Sequence, residues 1–374
     1  MPFPSAGRAL ALALLLAPSA PMSKAWAQMP TPQSMLQSTW IRDCGPKPLP
    51  GELCRAPVAF EADEAEKRLN GKDLVYWVEG DTLNIAARAF ADEAVLEGSF
   101  DEGMVPLSTR RPMWGAAFRL TEIDRAILEL RLRGHPGAEF VYRGPKAPPA
   151  PAMSAPLAGK LEALEVKGAA VGTRKLQIYT PPGKAPAGGW PVVIAAGIED
   201  IAPYAAIADA LIQKHQARAA AIVSLGAGEG EYLRHKDPNA FYSFQMFLRR
   251  EAMPEVDKRV KLSEQPQDRL LFGIGPGGDW ALDAVTHDGP MAAQVAAFSP
   301  PGLAEFPFRN KQLKLWIQAG SYEAPYAKGA RTTCNLASAS FAACTLDMTP
   351  SGHAPLMWQA EWAKVLKEAM PFRR

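Results

Sequence analysis

The sequence lacks an excess of charge of either sign. Its 374 residues include 41 basic and 39 acidic side chains, which gives a formal net charge of +2. Proteins that bind nucleic acid or anionic lipid through their surface concentrate positive charge there. The balanced charge therefore argues against nucleic acid as a partner.

Long apolar runs are also missing. The apolar stretch Ala9–Ala20 is shorter than the ~20 residues that a bilayer-spanning helix needs, and no later segment reaches that length without charges. Arg8 precedes the stretch, and Ala25-Trp26-Ala27 has the small-x-small pattern of a cleavage site. We expect residues 1–27 to be a signal peptide, with an uncleaved anchor as the alternative. The mature protein should be soluble and either periplasmic or secreted.

Cysteine is scarce, with four residues in two pairs that are each ten positions apart. No C-x-x-C pair or Cys/His cluster has zinc-site spacing, which argues against a metal site. In an oxidising compartment disulfides persist. The simplest connectivity joins Cys44 to Cys54 around a Pro/Gly-rich turn and Cys334 to Cys344 across a Ser/Ala-rich loop.

Proline is abundant and marks a boundary. The segment Pro145–Pro156 is proline-rich, which favours an extended, semi-rigid linker. Short runs with period-two alternation precede it and predict a small antiparallel β-sandwich over residues of about 60 to 145. We expect a signal peptide at 1–27, a β-sandwich domain at 28–145, a linker at 146–160 and a second domain at 161–374.

The second domain has a different sequence pattern, in which continuous apolar strands alternate with amphipathic helices. This pattern is typical of a mostly parallel sheet covered by helices on both faces. The predicted strands are Lys175–Tyr179, Pro191–Ala196, Ala219–Leu225, Arg269–Phe272, Gln294–Phe298 and Leu313–Gln318. The predicted helices are Tyr204–His215, Ala240–Met253, Trp280–Val285 and Leu356–Met370. The fold class is therefore α/β.

The glycine-rich turn at residues 273–278 follows a strand and opens a helix. Its letters fit a dinucleotide-binding G-x-G-x-x-G, but that motif needs an acidic residue about 20 positions on, and the next strand ends Phe298-Ser299-Pro300. They also fit the flanks of a G-x-S-x-G nucleophile elbow, with Gly273 and Gly277 two residues either side of the nucleophile position. A structural turn without function is the third interpretation.

Residues downstream favour the elbow. Glu323 follows an apolar strand, and His353 precedes the last helix. The order elbow, acid, histidine is that of the α/β-hydrolase catalytic triad. The neighbouring Asp279 is explained as a first-turn helix residue, and Ser224 and Ser299 lie off the elbow, so none is a good substitute nucleophile.

At this point the chain resembles the enterochelin-esterase and esterase-D type of esterases, which include feruloyl and acetylxylan esterases. The likeness covers roughly residues 160 to 370 and depends on Thr173–Lys175, Tyr179–Gly183, Arg234, Phe247–Pro254, the turn at 273–278, His287, Ser299-Pro300, Gly352-His353 and Trp358. It implies an α/β-hydrolase domain and an N-terminal immunoglobulin-like sandwich. It also implies Glu323 as triad acid, His353 as base and Gly275 at the nucleophile position, with no cofactor.

This chain departs from that pattern at one step of the chemistry. Gly275 has no side chain to act as nucleophile, and Pro276 has no N–H to donate to an oxyanion. The second oxyanion donor is expected from the backbone near Gly197 and Ile198. We therefore expect an esterase-like pseudoenzyme that binds a small-molecule ester or a carbohydrate-linked ligand.

Two further interpretations remain open. The chain could hydrolyse siderophore, feruloyl or acetyl-sugar esters through His353 and Glu323 with water, or through an unrecognised nucleophile. Aromatic residues of the first domain could form a carbohydrate platform, although alternation predicts that about half of them belong to the core. These are Tyr76, Trp77, Trp114 and Phe118.

Overall fold

A computed structural model describes residues 41–46, 49–109, 112–226, 229–287, 291–302, 312–340 and 342–372. The predicted signal peptide lies outside the described residues. In the described part of the chain, no helix combines the length and apolar character needed to cross a membrane.

The N-terminal part contains two antiparallel sheets and one helix. Its strands are Leu53–Arg55 (β1), Leu74–Glu79 (β2), Thr82–Arg88 (β3), Val95–Gly98 (β4), Glu102–Gly103 (β5), Val105–Pro106 (β6), Met113–Leu120 (β7), Ile127–Leu132 (β8) and Glu139–Arg143 (β9), and its helix is Ala62–Leu69 (α1). One sheet has the order β1-β7-β3-β2 with β6 beside β7, and the other has the order β5-β4-β8-β9. The predicted β-sandwich is confirmed, and α1 is an addition to it.

The central strand β7 was not predicted, because it lacks alternation. Seven of its eight residues are buried. One side of its sheet packs on the second sheet through residues such as Phe118, and the other side packs under α1 through residues such as Met113. A strand covered on both faces reads as a continuous apolar run.

The four aromatic residues of the predicted platform are divided between two apolar cores, with Trp77 in one and the other three in the second. Trp114 and Phe118 are buried in the core. Trp77 packs against Phe60, and Tyr76 stacks on Phe140. The carbohydrate-platform alternative is therefore wrong for the two core residues.

The second part is built on one eight-stranded sheet of order β10-β11-β13-β12-β14-β15-β16-β17. Strand β11 is antiparallel to both of its neighbours, β10 and β13, and the other five neighbouring pairs are parallel. This confirms the prediction of a mostly parallel sheet. The strands are Lys160–Gly168 (β10), Gly172–Thr180 (β11), Val192–Ala196 (β12), Ala221–Ser224 (β13), Arg269–Ile274 (β14), Gln294–Phe298 (β15), Lys314–Gly320 (β16) and Ala343–Thr349 (β17). Residues 144–159, most of the predicted linker, contain no helix or strand.

Helices cover both faces of this sheet. They are Ala202–Gln213 (α2), Glu229–Tyr232 (α3), Pro238–Phe247 (α4), Met253–Asp257 (α5), Pro276–His287 (α6), Ala324–Ala339 (α7) and Pro355–Ala369 (α8), with a π-helical segment at Leu248–Ala252 and 3₁₀ turns at Ile123–Arg125 and Pro266–Asp268. Helices α2 and α8 share one apolar core with the sheet, whereas α4, α6 and α7 share the other. This three-layer arrangement confirms the predicted α/β fold class.

Two local predictions need correction. The single helix expected over 240–253 is divided into α4, the π-helical segment and α5. Cys334 lies in helix α7 and not in a loop, and Cys344 lies in β17. Helix α7 is rich in Ala, Ser and Thr, so its periodicity is weak and sequence patterning missed it. Both predicted disulfides, Cys44–Cys54 and Cys334–Cys344, are present.

Candidate active site

The turn after β14 has the tight geometry of an elbow. A Cβ on Gly273 would lie 2.0 Å from the carbonyl oxygen of Gly277, and a Cβ on Gly277 would lie 2.4 Å from that of Ala196. Neither contact is tolerable, so both flanking positions require glycine. The sequence pattern of the flanks therefore reflects close backbone packing between β12, β14 and α6.

Gly275, at the predicted nucleophile position, is different. Its φ of +54° lies in the left-handed region, which glycine adopts most cheaply. A Cβ at this position would have no atom within 4 Å. The turn would therefore hold a serine side chain without a clash, at a conformational cost of about 1 to 3 kcal/mol.

The predicted acid and base meet in space. His353 Nδ1 lies 2.6 Å from Glu323 Oε2, and both side chains are buried. The other carboxylate oxygen, Oε1, accepts hydrogen bonds from the Ser299 hydroxyl at 2.5 Å and from the Gly320 N–H at 2.6 Å. Glu323 thus has three donors, which compensate for its removal from water.

Aromatic rings hold the imidazole in place. His353 stacks on Tyr326 and meets Trp358 edge to face, with a centroid distance of 4.6 Å in both pairs. The Trp358 indole N–H donates to the Ser299 hydroxyl at 2.9 Å. Hydrogen bonds and ring contacts therefore link Ser299, Glu323, His353 and Trp358 in one closed network.

Ser299 supports the pair formed by Glu323 and His353 and lies outside the turn at 273–278. It is fully buried and has a φ of +47°, which is unusual for a residue with a side chain. Its hydroxyl donates to Oε1 of Glu323, the carboxylate oxygen that does not contact His353. Asp279 is also buried, and its carboxylate accepts from the Gly302 N–H.

In the predicted oxyanion region, the Gly197 N–H already has a hydrogen-bond partner. The Gly197 N–H donates to the Tyr232 hydroxyl at 2.9 Å, so it does not remain free as expected from the sequence. The Tyr232 hydroxyl in turn donates to the Leu225 carbonyl at 3.2 Å. Because Pro276 has no N–H, Ile198 is the one predicted position left to supply a donor.

The turn at 273–278 and His353 line a common cavity of about 390 Å³. Its lining includes Gly275, Pro276, Ile198 and His353. Its other lining residues include Lys175, Glu199, Ser224, Tyr232, Ile274 and Trp358. A volume of this size fits a small organic ligand. Among the described residues, no cluster of His, Cys, Asp and Glu could hold a metal ion.

Comparison with known proteins decides the family. The family model described as "Putative esterase" matches residues 169–364, more than half of the chain. The chain belongs to this esterase family. The turn at 273–278 lies within the matched residues. No curated protein matches the sequence.

Solved structures share the fold of this chain at low sequence identity. Ferric enterobactin esterase from Salmonella typhimurium is 14% identical, with a TM-score of 0.65 over 81% of this chain and 98% of that chain. Enterobactin esterase from Shigella flexneri, solved in the presence of enterobactin, is 15% identical, with a TM-score of 0.64 over 81% and 97%. These likenesses cover both parts of the chain and support an α/β-hydrolase domain preceded by a β-sandwich.

The sandwich contacts both dyad loops of the esterase domain. The backbone N–H of His353 donates to the Ser99 carbonyl at 2.9 Å, and the Ser351 hydroxyl donates to the Ile127 carbonyl at 2.7 Å. Beside the acid, Tyr322 packs in the sandwich core and its hydroxyl donates to the Thr121 carbonyl at 2.5 Å. No local sequence signal could have revealed these contacts, because they join residues about 200 or more positions apart.

A second buried acid, Glu361, makes the stability of the fold depend on pH. Burial, together with the nearby Asp347 carboxylate, raises the pKa of Glu361 to about 7, although Thr349 donates a hydrogen bond to its Oε1. In the unfolded chain a glutamate has a pKa of about 4.3. The folded state therefore binds this proton more tightly. The resulting stability is complete below pH ~4.3 and is lost as the pH rises through ~7.

We expect Glu361→Gln to be more stable than the wild type at pH 8, by on the order of 3 kcal/mol, because the amide stays neutral. The difference should vanish near pH 4. Denaturant unfolding at both pH values measures it, with Glu255→Gln, a residue that pairs with Lys258, as the control. An equal difference at both pH values would contradict this account.

Proposed function

We propose that this esterase-family protein is an exported pseudoenzyme that binds a ligand in the esterase cleft without forming an acyl-enzyme. The observation that carries the proposal is the state of the elbow. Gly275 offers no nucleophile, Pro276 offers no N–H, and the Gly197 N–H is already donated to Tyr232. Acyl transfer by a serine esterase depends on all three groups.

The ligand is best described as a small-molecule ester or a carbohydrate-linked ester. The cavity beside Gly275 joins apolar surface from Ile198, Ile274 and Trp358 to polar groups from Lys175 and Tyr232. This mixture suits a small aromatic or acyl compound with a few polar groups. Enterobactin, named with the Shigella flexneri relative, makes siderophore esters a class to include in a screen.

Two features support the proposed export. Residues 1–27 have the pattern of a cleaved signal peptide. Both cysteine pairs form disulfides, which persist in the periplasm and outside the cell. We therefore propose a periplasmic or secreted location for the mature protein.

A second function is favoured by one observation, the intact pair of His353 and Glu323. A histidine oriented by a buried carboxylate can act as a general base toward water. In this alternative, water attacks the ester carbonyl directly and no acyl-enzyme forms. The expected rate is low, because the oxyanion is poorly stabilised when only Ile198 remains as a donor.

The test measures turnover and labelling of the purified protein. We expect no turnover of aryl acetates or feruloyl esters above the buffer rate and no labelling by a fluorophosphonate. Turnover that His353→Ala abolishes and His135→Ala leaves intact would contradict the pseudoenzyme proposal and support water-mediated hydrolysis. His135 is a suitable control, because it lies in a turn of the sandwich.

A further inference from the structure

The hydrogen bond between Glu323 and His353 determines what the imidazole can accept. A carboxylate is an acceptor, so Nδ1 must carry the proton that joins the two groups. In a neutral imidazole the other nitrogen, Nε2, then holds a lone pair and acts as an acceptor. The dyad therefore presents an acceptor on the side of the ring opposite Glu323.

Nε2 has no hydrogen-bond partner among the described residues, although His353 is only 8% exposed. The ring cannot turn to find one, since Tyr326 and Trp358 enclose it and Glu323 holds Nδ1. Nε2 is not among the enclosed polar side-chain atoms that lack a partner, so it is accessible from the cavity that His353 lines. A hydrogen-bond donor that enters this cavity can therefore reach Nε2.

The space for that donor is at Gly275. The elbow leaves the position of a Cβ at Gly275 open, and Gly275 and His353 line the same cavity. In a G-x-S-x-G elbow this space holds the serine hydroxyl, which donates to the histidine. Here the acceptor is retained and the donor is absent.

We propose that the cleft binds its ligand through a hydroxyl group of an alcohol or phenol, which enters the space at Gly275 and donates to His353 Nε2. The apolar part of the ligand then packs on Ile198, Ile274 and Trp358. An ether or ester oxygen cannot replace the hydroxyl, because it has no proton to donate. This inference rests on the proposed function, since a nucleophilic serine would occupy the same space.

The test compares benzyl alcohol with benzyl methyl ether, which lacks the donor. Binding is followed by NMR of the full chain labelled with ¹⁵N-histidine, with the His353 resonances assigned from His353→Ala. We expect the alcohol to bind about tenfold more tightly and to shift the Nε2 resonance, whereas the ether leaves that resonance in place. Equal affinities, or saturation with alcohol that does not move Nε2, would overturn the proposal.

Two variants at the same position sharpen the test. Gly275→Ser supplies its own hydroxyl to Nε2 and should weaken alcohol binding about tenfold or more, as should the space-filling Gly275→Ala. The distant His135→Ala should bind as the wild type does. Unchanged alcohol binding in Gly275→Ser would also overturn the inference. Ester turnover by the wild type would instead refute the proposed function, so the two failures are distinguishable.

Discussion

Gly275→Ser alone is expected to leave turnover of aryl acetates at least ~100-fold below that of the double variant Gly275→Ser/Pro276→Ala. The single change restores a nucleophile, and the space for its side chain is open. It restores no oxyanion donor, because residue 276 is still a proline. Removal of one such donor typically lowers kcat by about 10² to 10³.

The double variant isolates the missing N–H. Pro276 is the first residue of α6, a position where proline is favoured because its N–H has no partner within the helix. Alanine should therefore keep the helix and add one donor facing the elbow. Burst kinetics and fluorophosphonate labelling of both variants measure the gain.

Pro276→Ala alone is the control, and it should stay inactive because it has no nucleophile. A single Gly275→Ser variant within about tenfold of the double variant would show that the N–H of residue 276 is not needed. The remaining oxyanion donor would then have to come from the Ile198 region alone.

Glu323→Ala is expected to destabilise the fold by about 3 to 5 kcal/mol. The change removes the acceptor of three buried donors, which belong to His353, Ser299 and Gly320. Each donor that loses its partner costs about 1 to 3 kcal/mol when it stays away from water. Urea unfolding followed by tryptophan fluorescence measures the loss.

Glu323→Gln and Glu255→Ala are matched controls for this prediction. The glutamine keeps one oxygen that can accept from Ser299 or Gly320, so it should lose less than the alanine. Glu255 pairs with Lys258 at the surface, and its loss should cost at most about 1 kcal/mol. A Glu323→Ala variant within 1 kcal/mol of the wild type would mean that the dyad contributes little to stability.

The sequence was informative where neighbouring residues carry the signal. Buried parallel strands such as β15 read as short apolar runs, and the flanking glycines of the elbow reflect local backbone packing. It was uninformative where burial depends on distant partners. Strand β7 is covered by a sheet and a helix that sequence patterning could not place against it, and α7 has too few large apolar residues to show a period.

By itself the sequence determined the α/β fold class, the cysteine pairs, and the absence of a nucleophile and an N–H at residues 275 and 276. These are matters of composition, spacing and side-chain chemistry. Only the tertiary structure decided that the Tyr232 hydroxyl accepts a hydrogen bond from the Gly197 N–H and that the Ser299 hydroxyl donates one to Glu323. It also decided that the sandwich holds the loops of both dyad residues. Those contacts depend on how distant strands and loops meet in space, which no local pattern encodes.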